Sequence, residues 1–393
     1  MEVVERPSLA QIFRRFYPRY RQACAVTREQ RQAAWCLQAC RTPRLGGREF
    51  ACRKCGSRHP VYHSCRNRHC PLCQRAESHR WLERQEARLL PVGYFHVVFT
   101  VASELHLVFQ YNRKLLYGLL LRVSAKVLQR FAADPQWLGA QLGMVGILHT
   151  WGQQLVFHPH AHWIVPQGGI DAQGRWVRPR RALDGKFLFP IGAVSRVFQG
   201  ELLHQLEKLW QAGQLRFPDP PSAVGFGDRL RIAASKRWEV YAQRPLAGPE
   251  AILKYLGQYT HRIAIQEQRL LRMDADGVEF SYKDYRRGGE RRTLKLPGSE
   301  MVRRFLEHVL PRGFRKIRQY GFLGNAVGRE KLAEIQARWL AGMGALLAAL
   351  RAWPETLARW AGEEPVWVRR CPQCPTGELV WIADVPARTE DTS

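Results

Sequence analysis

The chain has 393 residues, and its 61 Lys and Arg side chains against 34 Asp and Glu give a formal net charge of +27. Apolar residues make up 46% of the sequence, which excludes a disordered basic tail. No apolar run reaches the roughly 20 residues of a membrane helix, and the N-terminus lacks the basic-then-apolar order of a signal peptide. A charge excess of this size predicts a nucleic-acid partner, because each neutralised phosphate releases counterions.

Hydrophobic periodicity and the positions of Gly and Pro predict the elements in chain order. We expect a helical arm over 1–50, a cysteine module over 50–75, a helix over 77–90, a strand from Gly93, a helix over 103–131, strands between 146 and 165, a helix over 191–211, a strand over 237–242, a helix opening at Gly248, a hairpin over 278–296, a helix from Ser299 and a C-terminal helix over 328–351. These elements suggest domains at 1–90, 91–268, 269–325 and 326–393.

The cysteines are concentrated near the N-terminus. In a chain without an export signal, CxxC pairs indicate metal ligands rather than disulfides. Two such pairs have the spacing of a zinc ribbon, in which two turns supply four thiolates to one structural Zn²⁺. The predicted ligands are Cys52, Cys55, Cys70 and Cys73.

Other cysteines and histidines leave alternatives open. Cys65 and His69 lie in the same loop and are possible further ligands, and Cys40 is close enough to stay in question. Cys371 and Cys374 form half a ribbon with no partner pair in the sequence, so a metal-binding role for them is open.

Two segments have the alternating pattern of strands, and the second of them carries a run of histidines. In the strand from Gly93, alternate apolar side chains share one side, as in a strand with one buried face. In the later strand, His158, His160 and His162 follow the two-residue period that places side chains on one face. Imidazoles two residues apart can clamp a divalent ion. His160 and His162 are the expected pair, since Pro159 favours an edge position for His158.

Tyr255 and Tyr259 are i and i+4 neighbours on a predicted helix. Taken alone, the pair is typical of an aromatic stripe in a core. Beside a metal and a basic surface, the tyrosines become candidate nucleophiles toward a polarised phosphate. Attack would leave a 5′-phosphotyrosine and a free 3′-OH, which conserves the bond energy for rejoining. The third metal ligand is open among Gln153, Gln154, His158, Gln258 and His261.

The motifs HPHAH and YLGQYTHRIAI, with CRNRHCPLCQ upstream and HVLPRGFRKIRQYGF downstream, resemble the two-tyrosine rolling-circle transposases of the insertion sequence 91 family, members of the HUH (His-hydrophobe-His) endonuclease superfamily. The resemblance runs from about Cys40 to Phe322. It implies an α+β fold with an HUH-type antiparallel sheet core flanked by helices, an N-terminal zinc-binding module and a helical C-terminal region.

The resemblance also implies an activity. His160 and His162 match the pair that holds a catalytic Mg²⁺ or Mn²⁺, and Tyr255 and Tyr259 match the two nucleophiles of a DNA transposase. The expected partners are single-stranded element ends, target DNA and host helicase or replication proteins, in the nucleoid of a bacterial cytoplasm. Gln258 departs from the family pattern, which puts the specificity for DNA ends in doubt rather than the chemistry.

Two basic clusters are expected to hold the DNA backbone: Arg286, Arg287, Arg291 and Arg292 in the first, and Arg312, Arg315, Lys316 and Arg318 in the second. Three alternatives remain. A plasmid or phage replication initiator would use the same chemistry, and a non-catalytic zinc-finger protein would keep its activity without the two tyrosines. A metal hydrolase would require an acidic or histidine ligand soon after HPHAH, where Trp163 and Ile164 stand.

Overall fold

The computed structural model describes residues 6–74, 81, 90, 92–179, 187–218, 225–246, 264–324, 333–334, 337, 370–374 and 376–388. The chain divides into two compact units, each made of separate stretches of sequence. The first unit takes in 1–80, 261–309 and 345–393, and the second takes in 81–260 and 310–344.

Helices and antiparallel strands are mixed in both units, which confirms the predicted α+β class. The helices of the described residues are α1 (Leu9–Ala23), α2 (Arg28–Ala39), α3 (His106–Tyr111), α4 (Arg113–Ala133), α5 (Ile191–Gln211), α6 (Phe226–Ser235) and α7 (Gly298–Glu307). The strands of those residues are β1 (Gly47–Cys52), β2 (Arg58–Tyr62), β3 (Tyr94–Thr100), β4 (Gly143–Trp151), β5 (Phe157–Pro166), β6 (Gly169–Ile170), β7 (Trp176–Val177), β8 (Val240–Leu246), β9 (Leu270–Met273), β10 (Gly277–Asp284), β11 (Glu290–Pro297), β12 (Ile317–Gly321) and β13 (Leu379–Val385).

The second unit is built on a five-stranded antiparallel sheet in the order β12–β4–β5–β3–β8. The histidine-bearing strand β5 is therefore central, as expected. One sheet face forms the main apolar core, where Phe99 meets Phe198 of α5 with ring centroids 4.8 Å apart. On the same face the indole of Trp163 donates to Ser124 Oγ of α4 at 3.0 Å. A Cβ at Gly146 would come within 2.6 Å of that indole, so the close approach of Trp163 to β4 requires glycine.

Both faces of this sheet are covered where the sequence predicted burial of one. Phe95, Val97 and Phe99 enter the main core, as the alternation indicated. Tyr94 and His96, on the opposite face of β3, are also buried, at 1% and 6% exposure. The prediction of a half-buried strand was therefore wrong for β3, because its second face is covered by another apolar cluster, which includes Tyr94, Val145 and Ile164, and by the histidines described below.

The first unit joins the N-terminal helices to later parts of the chain. Ser8 begins α1 and Thr27 begins α2, each through a reciprocal capping box. Phe13 of α1 packs on Phe305 of α7 with ring centroids 5.3 Å apart. Two three-stranded sheets belong to the same unit, β13–β1–β2 and β11–β10–β9.

Several predicted elements coincide with observed ones. Helix α5 has the predicted bounds of 191–211, the 278–296 hairpin is β10–β11, and the helix expected from Ser299 is α7. The helices expected over 77–90, from Gly248 and over 328–351 lie mostly or wholly outside the described residues. Strand β13, in the predicted helical C-terminal region, was not foreseen. Within the described ranges, no helix is long and apolar enough to cross a bilayer.

Candidate functional site

Three histidines from two adjacent strands bring their ring nitrogens together in the second unit. They are His149 of β4 and His160 and His162 of β5, and one ring nitrogen of each lies within 4.8 Å of those of the others. His149 stands directly opposite His160 in the antiparallel ladder, and Ile147 stands opposite His162. Directly opposed side chains on one face are close neighbours, so the sheet itself assembles the cluster.

A one-residue slip in register puts His149 on the histidine face. Trp151 pairs with Phe157, yet the next pair toward the strand interior is His149 with His160, so β5 carries an extra residue in the stretch that contains Pro159. If the register set by the Trp151–Phe157 pair continued without a bulge, His149 would pair with Pro159. Its side chain would then lie on the face opposite the other histidines. Proline is tolerated inside a sheet at such a bulge, and bulges re-aim side chains near functional sites.

Hydrogen bonds fix how two of the rings are turned. His160 Nδ1 donates to the carbonyl oxygen of His158 at 2.6 Å, which leaves Nε2 as the nitrogen with a free lone pair for an ion. His162 Nδ1 lies 2.8 Å from Nε2 of His96, with the two rings stacked 8° from parallel. His96 is in turn hydrogen-bonded by the side chain of Gln243 on β8. A line of contacts therefore runs from β8 through β3 to His162.

Burial keeps these imidazoles neutral. Desolvation, with a smaller contribution from neighbouring imidazoles, lowers the pKa of His160 to about 3 and that of His162 well below its ordinary value. The pKa of His96 falls to about 4 for the same primary reason. Neutral imidazole is the form that binds metal. Protonating several neighbouring buried histidines would be costly, because it would place unpaired charges in the interior.

The donor set fits a divalent transition metal. Three protein ligands leave further coordination positions for water or a substrate oxygen, as catalytic metal sites require. Imidazole nitrogens suit transition metals better than Mg²⁺, which prefers oxygen ligands. The residues present therefore fit a catalytic divalent ion, and among the two predicted ions they favour Mn²⁺.

The contact between His96 and His162 leads to a prediction about metal affinity. Replacing His96 with Ala removes the group that orients His162, and losses of this kind weaken metal binding about 10–100-fold. His96→Gln, which offers an amide oxygen to His162 Nδ1–H, should retain most of the affinity. Electron paramagnetic resonance of free Mn²⁺ during titration would measure both variants. An unchanged Mn²⁺ Kd in His96→Ala would show that the contact is incidental.

A tryptophan and a lysine border the histidines. The ring of Trp151 stacks on His149 with centroids 4.6 Å apart, and the Lys316 ammonium lies 5.5 Å from the centroid of Trp151. The positive charge of Lys316 is also one of the causes that lower the pKa of His162. A residue predicted from sequence to contact the DNA backbone thus lies beside the metal-ligand cluster.

The structure selects among some of the predicted ligands. His160 and His162 are brought together as expected, and their third neighbour is His149, which was not among the candidates. His158 lies next to the cluster, with its ring centroid 5.1 Å from that of His160, but is not one of the three. Gln153 and Gln154 fall in the turn between β4 and β5. Tyr255, Tyr259, Gln258 and His261 lie outside the described residues.

Four cysteines of the first unit form a second candidate metal site. Cys40, at the C-terminal end of α2, meets Cys65, Cys70 and Cys73. The Sγ atoms of Cys40 and Cys65 each lie 3.6 Å from that of Cys73. Zn–S bonds of about 2.3 Å give a tetrahedron with sulfur–sulfur edges of about 3.8 Å. Hydrogen bonding with Cys65 is the main cause that lowers the pKa of Cys40, whereas neighbouring thiols raise the pKa of Cys65.

This cluster corrects the predicted grouping of the cysteines. The spacing predicted that Cys52 and Cys55 share one ion with Cys70 and Cys73, but the structure separates the two pairs. Strand β1 carries Cys52 away from the Cys70 turn and toward β13, whose pairing with β1 brings Cys371 and Cys374 close. Cys65 and Cys40 take the places predicted for Cys52 and Cys55, and complete the cluster with Cys70 and Cys73. His69 is buried beside the cluster and contacts Asn67.

The two predicted basic clusters belong to different units. Arg287, Arg291 and Arg292 are exposed on the β10–β11 hairpin of the first unit, where Arg292 lies 3.7 Å from Asp284. The side chain of Arg286 is outside the described part of the structure. In the second unit Arg312 and Arg315 are exposed, while Arg318 donates to the Arg315 carbonyl at 3.2 Å and lies over the ring of Phe314.

Two family models match the chain. One, described as "Putative transposase", matches residues 143–331, and the other, described as "Transposase zinc-binding domain", matches residues 12–101. The first match contains all three clustered histidines, and the second contains the four cysteines around Cys73.

Comparison with individual proteins gives relatives of similar length. "Putative transposase y4qJ" of Sinorhizobium fredii (strain NBRC 101917 / NGR234) is 40% identical over 98% of this chain and 99% of its own. The "Transposase for insertion sequence element IS801" of Pseudomonas savastanoi pv. phaseolicola is 30% identical over 76% of this chain and 71% of its own. Among solved structures, the conjugative relaxase TrwC in complex with oriT DNA is 15% identical and covers 63% of this chain and 71% of its own, with a TM-score of 0.25. A TM-score this low does not establish a common fold.

Proposed function

Because the chain belongs to the insertion sequence 91 family of transposases, we propose that it nicks single-stranded DNA at element ends and joins the cut strands to target DNA through 5′-phosphotyrosine links. The observation that carries this proposal is the convergence of three buried imidazoles on adjacent strands of the sheet: His149, His160 and His162. Three imidazole ligands can hold one ion and leave further coordination positions open.

Each group has a defined part in the proposed reaction. A divalent ion, when bound by the three histidines, would polarise the scissile phosphate and stabilise charge on the leaving 3′ oxygen. The hydroxyl oxygen of Tyr255 or Tyr259 forms a bond to phosphorus while the bond from phosphorus to the 3′ oxygen breaks. The phenol proton ends on that 3′ oxygen. Rejoining reverses these steps, so the bond energy stays in the phosphotyrosine and no nucleotide cofactor is needed.

The cysteine cluster around Cys73 has a structural part. We assign the Zn²⁺ of the zinc-binding domain to Cys40, Cys65, Cys70 and Cys73, whose sulfur spacings suit a tetrahedral ion. Four thiolates close the coordination shell, so this ion would hold the fold rather than take part in cleavage.

The experiment that tests the proposal looks for the covalent intermediate. Purified protein is mixed with single-stranded DNA from both flanks of its gene and with Mn²⁺, and the products are run on a denaturing gel. We expect a metal-dependent protein–DNA adduct that is lost in the Tyr255→Phe, Tyr259→Phe double variant. Tyr111→Phe, an exposed tyrosine of α3 in the same unit, is the matched control and should keep the adduct.

Two other outcomes would overturn parts of the proposal. Binding without an adduct, on DNA shown to contain the element ends, would favour the non-catalytic zinc-finger alternative. An adduct that persists in the double variant would point to a different nucleophile. Tyr241 is then the residue to replace, because it is 59% exposed on β8 and stands opposite Val98, which in turn stands opposite His162.

The basic cluster beside the histidines provides a separate prediction about DNA affinity. Replacing Arg315, Lys316 and Arg318 together with Gln should weaken single-stranded DNA binding and lower the slope of log K against log salt by about 0.7 per lost phosphate contact. Fluorescence anisotropy over a range of salt concentrations would measure this slope. A control that removes three charges from exposed positions of α4 and α5 (Arg130, Arg196 and Lys208) should leave the slope nearly unchanged. Equal slopes in both triple variants would mean that only net charge matters.

A further inference from the structure

Four cysteines from opposite ends of the sequence meet in the first unit, outside the cluster assigned above. We propose that Cys52, Cys55, Cys371 and Cys374 bind a second structural Zn²⁺ that fastens the segment 370–388 to the N-terminal zinc module. The matched zinc-binding domain ends at residue 101 and therefore contains only half of this ligand set. The site does not depend on the proposed cleavage reaction.

The sulfur spacing fits a metal and not disulfides. Cys52 Sγ lies 3.5 Å from Cys374 Sγ, and Cys55 Sγ lies 3.7 Å from Cys371 Sγ. A disulfide requires a separation of about 2.05 Å, whereas the edges of a zinc–thiolate tetrahedron are about 3.8 Å long. All four sulfurs lie within 4.8 Å of one another, so one ion can reach each of them.

The local turns are shaped to stabilise thiolates. The backbone N–H of Lys54 points to Cys52 Sγ at 3.4 Å, and those of Gln373 and Cys374 point to Cys371 Sγ at the same distance. Such hydrogen bonds to a sulfur favour its charged form, which is the form that binds metal. The two CxxC turns therefore present their ligands in the same way from opposite ends of the chain.

Gly377 leaves room for the sulfurs. A Cβ at this position would lie 2.4 Å from both Cys374 Sγ and Cys52 Sγ, so any larger residue would force the cluster apart. Polar groups close the other side, where Ser57 Oγ lies 3.0 Å from Cys55 Sγ and contacts His59 Nε2 at 2.8 Å. Supporting contacts of this kind orient metal ligands.

Among the described residues, strand β13 is held mainly by backbone hydrogen bonds, and the N–H groups of Arg53 and Arg388 add bonds to Glu378 and Pro43 at its two ends. It pairs with β1 from Gly47 to Cys52, and its residues 381–384 are exposed, including Trp381 at 58%. A three-stranded sheet with so small an apolar interior has only marginal folding stability unless a metal ion or another cross-link is added. Binding one ion between the two turns would supply the missing stabilisation, because metal-binding free energy is folding free energy in such sites.

Metal content of the full chain tests the proposal. Mass spectrometry of the purified protein should find two cysteine-bound zinc ions per chain, and the Cys371→Ser, Cys374→Ser double variant should hold one. Replacing Zn²⁺ with Co²⁺ separates thiolate-bound from histidine-bound metal, because sulfur-to-cobalt charge-transfer absorption should fall by half in the variant. Cys24→Ser, an exposed cysteine outside both clusters, should change neither value.

A second variant leaves all four ligands in place. Gly377→Ala should release one of the two zinc ions to a chelator faster than the unaltered protein does, while Gly200→Ala, which has open space around its Cβ, should not.

Hydrogen exchange should show lost protection over 379–385 in the double cysteine variant. An unchanged zinc content in that variant, or a disulfide within the four cysteines of the purified protein, would overturn the proposal.

Discussion

The variant His149→Ala should fail to bind the proposed catalytic ion and fail to form the DNA adduct. In the proposed site His149 supplies one of three nitrogen ligands, so its removal should weaken Mn²⁺ binding by more than the ~10–100-fold typical of losses around a ligand. Without an ion to polarise the phosphate, adduct formation should fall below detection on the denaturing gel. Mn²⁺ binding and adduct yield can be measured on the same preparation.

The matched control for this variant is His106→Ala. His106 is a partly buried histidine of the same unit, 5.5 Å from the ring of His158, and it is not one of the three clustered residues. Burial lowers the pKa of His106 to about 4, so its loss tests whether removing any buried imidazole has the same effect. We expect Mn²⁺ affinity close to that of the unaltered protein. Normal Mn²⁺ binding by His149→Ala would remove this residue from the proposed ligand set.

Replacing Cys65 with Ser should remove the N-terminal zinc ion and unfold the loop around it. Structural zinc contributes about 10–16 kcal/mol of apparent binding free energy in small zinc domains, far more than the few apolar residues of residues 58–74 can replace. Zinc content should fall by one ion per chain, and hydrogen-exchange protection should drop across residues 58–74. The segment 370–388 should keep more of its protection, because its proposed ion uses other cysteines.

Cys36→Ser is the control for Cys65→Ser. Cys36 is buried on α2, one turn before Cys40, and its thiol is hydrogen-bonded to Cys65, but it is not one of the four clustered sulfurs. It should retain the full zinc content even if packing costs it some stability. If both variants lost the ion equally, the ligand assignment would need revision in favour of Cys36.

Much of the architecture could be predicted from sequence because it depends on local patterns. The bounds of α5, the β10–β11 hairpin and the central place of β5 follow from periodicity, turn residues and the family resemblance. His160 and His162 could be predicted as neighbours because two-residue spacing on a strand places them on one face. The roles of Tyr255 and Tyr259 stay predictions.

What sequence could not provide depends on pairing between distant segments. His149 lies on the same face as His160 because β5 has a bulge that contains Pro159. Counting residues outward from the turn without that bulge would have placed His149 on the opposite face. The cysteine grouping failed for a similar reason. Spacing favours ligands close in sequence, whereas the pairing of β1 with β13 gives Cys52 a partner more than 300 residues away. The sequence did contain one signal for the third ligand: His149 lies on the strand before HPHAH, and a bulge could bring it opposite His160.

The pairing of β1 with β13 also sets an order for biosynthesis. Cys52 and Cys55 are made early, but Cys371 and Cys374 follow about 320 residues later, which takes roughly 16 to 64 s at 5–20 residues per second. During that interval the edge of β1 that later pairs with β13, and the thiols of Cys52 and Cys55, have no native partner on the ribosome. Among the described strands, the last one of the five-stranded sheet in chain order is β12, so this sheet can form before Cys371 and Cys374 are made. A chain that stops before residue 370 would therefore retain the sheet that carries the histidines and lack a finished N-terminal module.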